Sequence, residues 1–264
     1  MIKNQKAIVA FALGEKYQKM FNDLCRLDWE KYCKKYNYDF YLITEPLDDS
    51  SRAQARSPSW QKLLILSQPW SSSYEQVVWL DTDILINAEQ AQDISEGLDL
   101  QKVAAVNAFD IPDKRIHQII SKRPGNSLWS NHWATPQDYY SMNGFSNVFY
   151  PQVVHGGVFV CSPAFHKSIF EHVYYDYEDD PEKMQAEQPA LSYELLKNNL
   201  IEWLPSEFNY CVSPLVSAYY PFLLDEKTST TELRSLALTN LYSLGNFLHF
   251  AGCHQLMSLV KRTS

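Results

Sequence analysis

The sequence has little glycine, 8 residues in 264. No G-x-G-x-x-G follows an apolar run, which argues against a dinucleotide-binding reductase. The first apolar run leads into FALGEKY, with one glycine, where a nucleotidyltransferase would carry a glycine-rich, basic phosphate loop. Cysteine is also scarce. Cys25, Cys33, Cys161, Cys211 and Cys253 are odd in number and form no C-x-x-C pair. Neither a disulfide scaffold nor a cysteine-built zinc site is expected, and their plain reading is as small buried hydrophobes. No stretch reaches the roughly 18–20 apolar residues of a membrane span. The opening MIKNQKAIVAFALGEKY has too short an apolar run for a signal peptide, with no small-residue cleavage site after it. The expectation is a reduced, cytoplasmic protein with no transmembrane segment; peripheral membrane association stays open. Positive charge is short as well: 23 Lys and Arg stand against 31 Asp and Glu, a net charge of −8. That excludes a broad basic face for nucleic acid and leaves room for a local basic site facing a small phosphate.

What is present is apolar and aromatic. Hydrophobic residues make up 45%, which excludes general disorder. At this length about 70–75% of the extended-chain surface disappears on folding, so a large core needs no staples. Aromatics at 14% suit a packed α/β protein and equally a sugar-stacking cleft.

The patterning predicts strands and helices in alternation, hence a mostly parallel sheet covered by helices. Ala7 to Leu13 reads as a buried strand ended by Gly14. Lys16 to Tyr36 has helical spacing, with Met20, Leu24, Leu27, Tyr32 and Tyr36 facing the core. Further strands are expected at Asp39 to Thr44, Glu75 to Ile86, Val103 to Asn107, Val153 to Cys161 and Ile201 to Leu204, with a last apolar segment at Asn246 to Ala251. Helices are expected at Ser59 to Leu66, from Pro163 with Phe165, Ile169 and Val173 on one face, and at Glu187 to Leu196. Residues 205–245 read as irregular, and 110–152 as a long excursion of the kind that shapes sites on α/β sheets.

Asp81-Thr82-Asp83 is the sharpest feature. Residues two apart on a strand share a face, so the carboxylates point together if extended geometry persists. Their repulsion calls for a cation, and carboxylates are ligands that Mg²⁺ and Mn²⁺ prefer. An Asp pair after a strand also simply caps turns. Here it is embedded in VVWLDTDILI, an apolar run in which acids need a reason. His249, within NFLHFAG, is the natural third ligand, since neutral imidazole completes a carboxylate sphere on Mn²⁺. Taken alone it is more readily a core histidine.

Taken in order, AIVAFALGEKY, WQKL, VVWLDTDILI, VHGGVFVCSP, EQPALSYEL and NFLHFAG resemble a GT-A-type glycosyltransferase, of the retaining glycosyltransferase family 8 or 34 kind. The resemblance spans roughly residues 5–252. It implies a GT-A, Rossmann-like fold: a mixed, mostly parallel sheet with helices on both faces. One catalytic domain would cover 1–264, with a nucleotide-binding half at about 1–109, the acceptor-side excursion at about 110–152, and the remainder of the sheet plus the metal-ligand segment at about 153–264.

The resemblance also implies roles. Asp81, Asp83 and His249 would hold Mn²⁺ or Mg²⁺, Asp81 also meeting the donor ribose. Ala12, Tyr17, Lys62 and Thr82 would face the nucleotide sugar, UDP-linked by expectation. His155, Gly156 and Gly157 would line the sugar pocket. Glu187 and Gln188 would lie beneath the sugar, near the anomeric carbon. Gly252 would let the backbone approach the diphosphate. The chain departs from the pattern where His155 replaces Asn and Glu187 replaces Asp. It also lacks the family's Lys after the terminal Gly, so His254, Lys261 or a residue elsewhere would supply the phosphate contact. The implied reaction retains configuration, with a diphosphate oxygen taking the proton of a glycan or other hydroxylated acceptor. Trp129, Trp133, Tyr139, Tyr140 and Asn143 are candidates to touch that acceptor, or to pack the excursion. A non-catalytic carbohydrate-binding protein and a nucleotidyltransferase are the competing readings.

Overall fold

In β1 (Lys6–Phe11), Ile8 and Ala10 pack into one apolar layer and Ala7 and Val9 into another. The same alternation runs through β3 (Gln76–Leu80), β5 (Val103–Asn107) and β6 (Val154–Cys161). Each of these strands is therefore buried on both faces, as their continuous apolar runs require. Phe21, Trp29 and Tyr32 bring helices Glu15–Leu24 and Arg26–Tyr36 onto the first face. Trp60, Leu63, Phe170 and Leu191 bring the 3₁₀ segment Pro58–Ser67 and helices Pro163–Asp176 and Gln188–Lys197 onto the second. The computed structural model describes residues 5–111, 115–122, 133–145, 149–180, 186–224 and 229–262.

With β2 (Tyr38–Ile43) and β7 (Ile201–Trp203), these strands form a six-stranded sheet in the order β2-β1-β3-β6-β5-β7. Within it β6 runs antiparallel to both neighbours, and the other adjacent pairs are parallel. The expected mixed, mostly parallel sheet with helices on both faces is the one observed.

Three expectations change. The strand read over Glu75 to Ile86 is two strands. It stops at Leu80, turns through Asp81, Thr82 and Asp83, and restarts as β4 (Ile84–Ile86) in a second sheet. That sheet has the order β4-β9-β8, with β8 at Tyr210–Cys211 and β9 at Phe247–His249. The helix read over Lys16 to Tyr36 breaks at Cys25, which departs from helical geometry at φ −117° and ψ −42°. The buried face keeps helical spacing across the break, through Phe21, Cys25, Trp29 and Tyr32, and Leu27 lies off that face at 65% exposed. In the same way Phe165 lies outside and His166, Phe170 and Tyr174 inside. Residues 205–245, read as irregular, hold helices Val212–Tyr219 and Thr231–Leu244, the second capped by Thr230 Oγ1 accepting from Leu233 N–H. All five cysteines are free and buried. Among the described residues no helix is long and apolar enough to cross a membrane.

Candidate active site

The turn after β3 and the strand β9 deliver three polar side chains to one place. Asp81 follows Leu80 and donates its N–H to Gly157 O at 2.9 Å. Asp83 precedes β4, and its carbonyl accepts Phe250 N–H at 2.9 Å. The β4–β9 register sets Ile84 opposite His249. His249 Nε2 thereby lies 3.1 Å from Asp83 Oδ1 and 3.8 Å from Asp81 Oδ2. One ligand atom from each of the three falls within 4.8 Å of the other two.

The histidine is prepared for this position. It is buried, and its Nδ1 lies 2.7 Å from Asn209 Oδ1. An amide oxygen only accepts, so Nδ1 carries a proton and Nε2 faces the carboxylates. Burial disfavours the charge on His249, but Asp83 beside it outweighs that and holds the imidazole well above its usual range. Burial likewise opposes the charge on Asp83, and His249 holds the carboxyl below its usual range. Two carboxylates and an imidazole with its second nitrogen anchored are a donor set that fits Mn²⁺ or Mg²⁺.

A cleft of about 370 Å³ opens beside this cluster. Phe11, Tyr17 and Trp79 give it apolar wall, and Lys62, Thr82 and His254 join the aspartates as polar lining. The Tyr17 ring is 44% exposed, with its centroid 6.2 Å from that of His254. Ala12 is fully buried and gives its N–H to Ile43 O at 2.9 Å, while Phe11 and Leu13 on either side line the cleft.

Lys62 anchors the floor. Its Nζ lies 3.3 Å from Asp81 Oδ1, 2.9 Å from Glu187 Oε1 and 3.0 Å from Gly156 O. Burial opposes its charge, but Asp81 and Glu187 outweigh it, so Lys62 stays protonated above its ordinary value. Trp79 Nε1 donates to the same Asp81 oxygen at 2.8 Å, which fixes that carboxylate from two sides.

β6 and the start of helix Gln188–Lys197 lie against Asp81 and Lys62, and none of His155, Gly156, Gly157, Glu187 and Gln188 is in the lining of the cleft itself. Gly156 N–H donates to Gln188 Oε1 at 2.9 Å, and Gln188 Nε2 donates to Tyr139 OH at 3.0 Å. A Cβ on Gly157 would stand 2.4 Å from His249 Cε1 and 3.1 Å from Asp81 Oδ2, so only glycine fits there. His155 accepts Gly157 N–H on Nδ1 at 3.1 Å, and burial with the nearby His249 and Lys62 pushes it well below its usual range. Gly252 has φ +71°, a conformation that glycine adopts freely, and its own position is exposed.

No protein-family model and no curated protein sequence matches the chain. Solved structures do match. A glycosyltransferase involved in the glycosylation of the major capsid of PBCV-1 is 16% identical with a TM-score of 0.53, over 96% of this chain and 100% of that one. The bifunctional glycosyltransferase WbbM, in its apo structure, is 13% identical with a TM-score of 0.56, over 95% of this chain and 46% of that one. The chain has the GT-A glycosyltransferase fold. At these identities the likeness is one of architecture.

Within the GT-A fold, the acceptor-side candidates divide. Trp133, Tyr139 and Tyr140 are buried and pack together with Phe109 and Val153. They build the excursion rather than offer an open stacking platform. Asn143 Nδ2 donates to Tyr139 O at 2.8 Å and closes the helix Pro136–Met142. Trp129 lies outside the described residues. Three contributors were not singled out from the sequence. Asn209 and Cys211 meet His249 because β8 pairs with β9, a pairing that no local pattern announces. Trp79 was legible, since it stands two residues before Asp81 and shares its face.

Proposed function

We propose that the protein is a metal-dependent glycosyltransferase. It would move a sugar from a nucleotide-sugar donor, UDP-linked, to a hydroxyl of a glycan or other acceptor with retention of configuration. The observation that carries this reading is the meeting of Asp81, Asp83 and His249 at the edge of a cleft large enough for a nucleotide. Those three side chains would hold Mn²⁺ or Mg²⁺, which supplies Lewis-acid stabilisation of the departing diphosphate.

The protein's own groups do the rest. Tyr17 and Phe11 offer apolar surface to the base, and Thr82 and Asp81 meet the ribose. His254 lines the diphosphate side, where the family's lysine is missing. Lys62 offsets one of the two negative charges of Asp81 and Glu187 at the floor, so an anionic donor meets less repulsion. The Glu187 carboxylate is tied to Lys62, which suits support of a developing sugar cation better than covalent attack. Gln188 is oriented at both ends of its amide, with its oxygen on Gly156 and its nitrogen on Tyr139, beneath the proposed sugar position. His155, Gly156 and Gly157 would form the sugar-facing wall.

The test is release of free nucleotide from a panel of nucleotide sugars with and without Mn²⁺. UDP-sugars should turn over first, EDTA should stop the reaction, and Asp83→Ala should lower it by at least a hundredfold with the circular dichroism spectrum unchanged. Folded protein that releases no nucleotide from any donor with metal present would overturn the proposal.

A further inference from the structure

On the side of His249 away from the two aspartates, three more polar groups converge. Cys211 and His249 are register partners on β8 and β9, so their side chains leave the sheet together. His155 enters from β6. Its Nε2 lies 3.4 Å from Cys211 Sγ, and His249 Nδ1 lies 3.8 Å from the same sulfur. One ligand atom from each falls within 4.8 Å of the others. A tetrahedral zinc with bonds of about 2.3 Å to sulfur and about 2.0–2.1 Å to imidazole nitrogen holds those atoms roughly 3.5 Å apart. The two observed separations bracket that value.

Protons now fill the space that such an ion would take. His155 Nδ1 accepts from Gly157, so the neutral ring carries its proton on Nε2, aimed at the sulfur. His249 donates Nδ1–H to Asn209 Oδ1 at 2.7 Å, and the Cys211 thiol reaches the same oxygen at 3.5 Å. Asn209 is wholly buried, and its Nδ2 finds no partner among the described residues. A cluster of crowded donors with a strained-for-partners amide is a poor polar core and a good set of metal donors.

We propose that Cys211, His155 and His249 Nδ1 form a second metal site, for a thiophilic divalent ion such as Zn²⁺, and that its occupancy switches off the Asp81–Asp83–His249 site. A thiolate with two imidazoles favours zinc over Mn²⁺ or Mg²⁺. Asn209 Oδ1 or a solvent molecule completes the sphere. Binding displaces the thiol proton and the ring protons that point into the cluster. The single ring proton of His155 moves from Nε2 to Nδ1 and the ring turns off the Gly157 amide, so that hydrogen bond and the one from His249 Nδ1 to Asn209 are exchanged for three metal bonds. His249 keeps a proton on Nε2, which donates to Asp83 Oδ1, the carboxylate–histidine–metal arrangement common at zinc. That proton takes the lone pair that the first ion needs. The antagonism rests on the proposed function; the second site itself does not.

The probe is Co²⁺ titrated into the reduced, metal-free full chain, read by absorption. The expected result is a thiolate-to-cobalt charge-transfer band with intense tetrahedral d–d bands, saturating at one equivalent and bleached by Zn²⁺. Cys211→Ser should abolish the band, and His155→Asn should weaken cobalt binding at least tenfold. No charge-transfer band in the wild-type chain, or one that survives Cys211→Ser, overturns the site. For the coupling, Mn²⁺ binding is followed by electron paramagnetic resonance. One equivalent of Zn²⁺ should weaken it at least tenfold in the wild type and leave it unchanged in Cys211→Ser. Equal weakening in both proteins overturns the antagonism. The cobalt band involves no sugar nucleotide, so failed glycosyl transfer would leave it standing, and its absence would leave glycosyl transfer standing.

Discussion

The Lys62 ammonium stands 2.9 Å from the Glu187 carboxylate, and both side chains are buried. A buried pair adds little over an apolar replacement of both partners, but removing one partner strands the other. Lys62→Met should therefore cost about 3–5 kcal/mol in urea unfolding at pH 7. Adding Glu187→Gln to it should recover a large part of the loss. A single-variant loss below about 1 kcal/mol would show that water already solvates the pair.

Gly157 and Gly156 adjoin in sequence and should respond differently. An alanine methyl at Gly157 would drive into the His249 ring at 2.4 Å, whereas at Gly156 it would meet the end of the Glu187 side chain at 3.0 Å. Gly157→Ala should weaken Mn²⁺ binding by at least tenfold. Gly156→Ala should leave Mn²⁺ binding within about threefold of the wild type, since it presses on the Glu187–Lys62 pair and not on His249. Calorimetric titration of Mn²⁺ into each variant checks the pair, and equal effects would contradict it.

Tyr139 holds the Gln188 amide. Its hydroxyl accepts the amide N–H and is itself buried, so burial pushes its own ionisation well above the usual range and it stays neutral. Tyr139→Phe should lower kcat roughly tenfold while leaving the donor KM and Mn²⁺ affinity unchanged, because it frees one end of an amide without touching the nucleotide cleft. Unchanged kcat would remove Tyr139 from the positioning of Gln188.

Far from the cleft, Asp93 should govern part of the acid limb of stability. Burial raises its carboxyl, but Lys6, the Tyr38 hydroxyl and the Ser95 N–H outweigh that and hold it below its usual value. A depressed folded value gives stability that is complete above the unfolded value, near pH ~4, and drains as pH falls through the lower folded one. Asp93→Asn should cost about 1–2 kcal/mol at pH 7 and flatten the decline below about pH 4. Parallel declines in both proteins would assign the acid limb elsewhere.

Much of this architecture was legible in apolar runs, because β1, β3, β5 and β6 are buried on both faces and read as unbroken hydrophobic stretches. The same signal hid the break at Asp81–Asp83. Val77 to Leu80 and Ile84 to Ile86 are both fully buried, so the run looks continuous although its halves belong to different sheets. Asp81, Asp83 and His249 were nameable because charged or polar groups interrupt apolar segments there. Asn209, Cys211 and the partnership of Tyr139 with Gln188 were not, since each depends on strand register or on helix rotation across long sequence separations. The aromatic excursion stayed open at the level of sequence: composition cannot distinguish a ring that packs inward, as Tyr139 and Tyr140 do, from one that waits for a sugar.

Every strand of the six-stranded sheet is complete in the chain by Trp203, whereas His249 arrives on a strand that pairs only in the second sheet. During synthesis from the N-terminus the large sheet can assemble with both aspartates already at its edge and their third partner still unmade. The three-residue cluster is thus closed only after the framework that presents two of its members already stands.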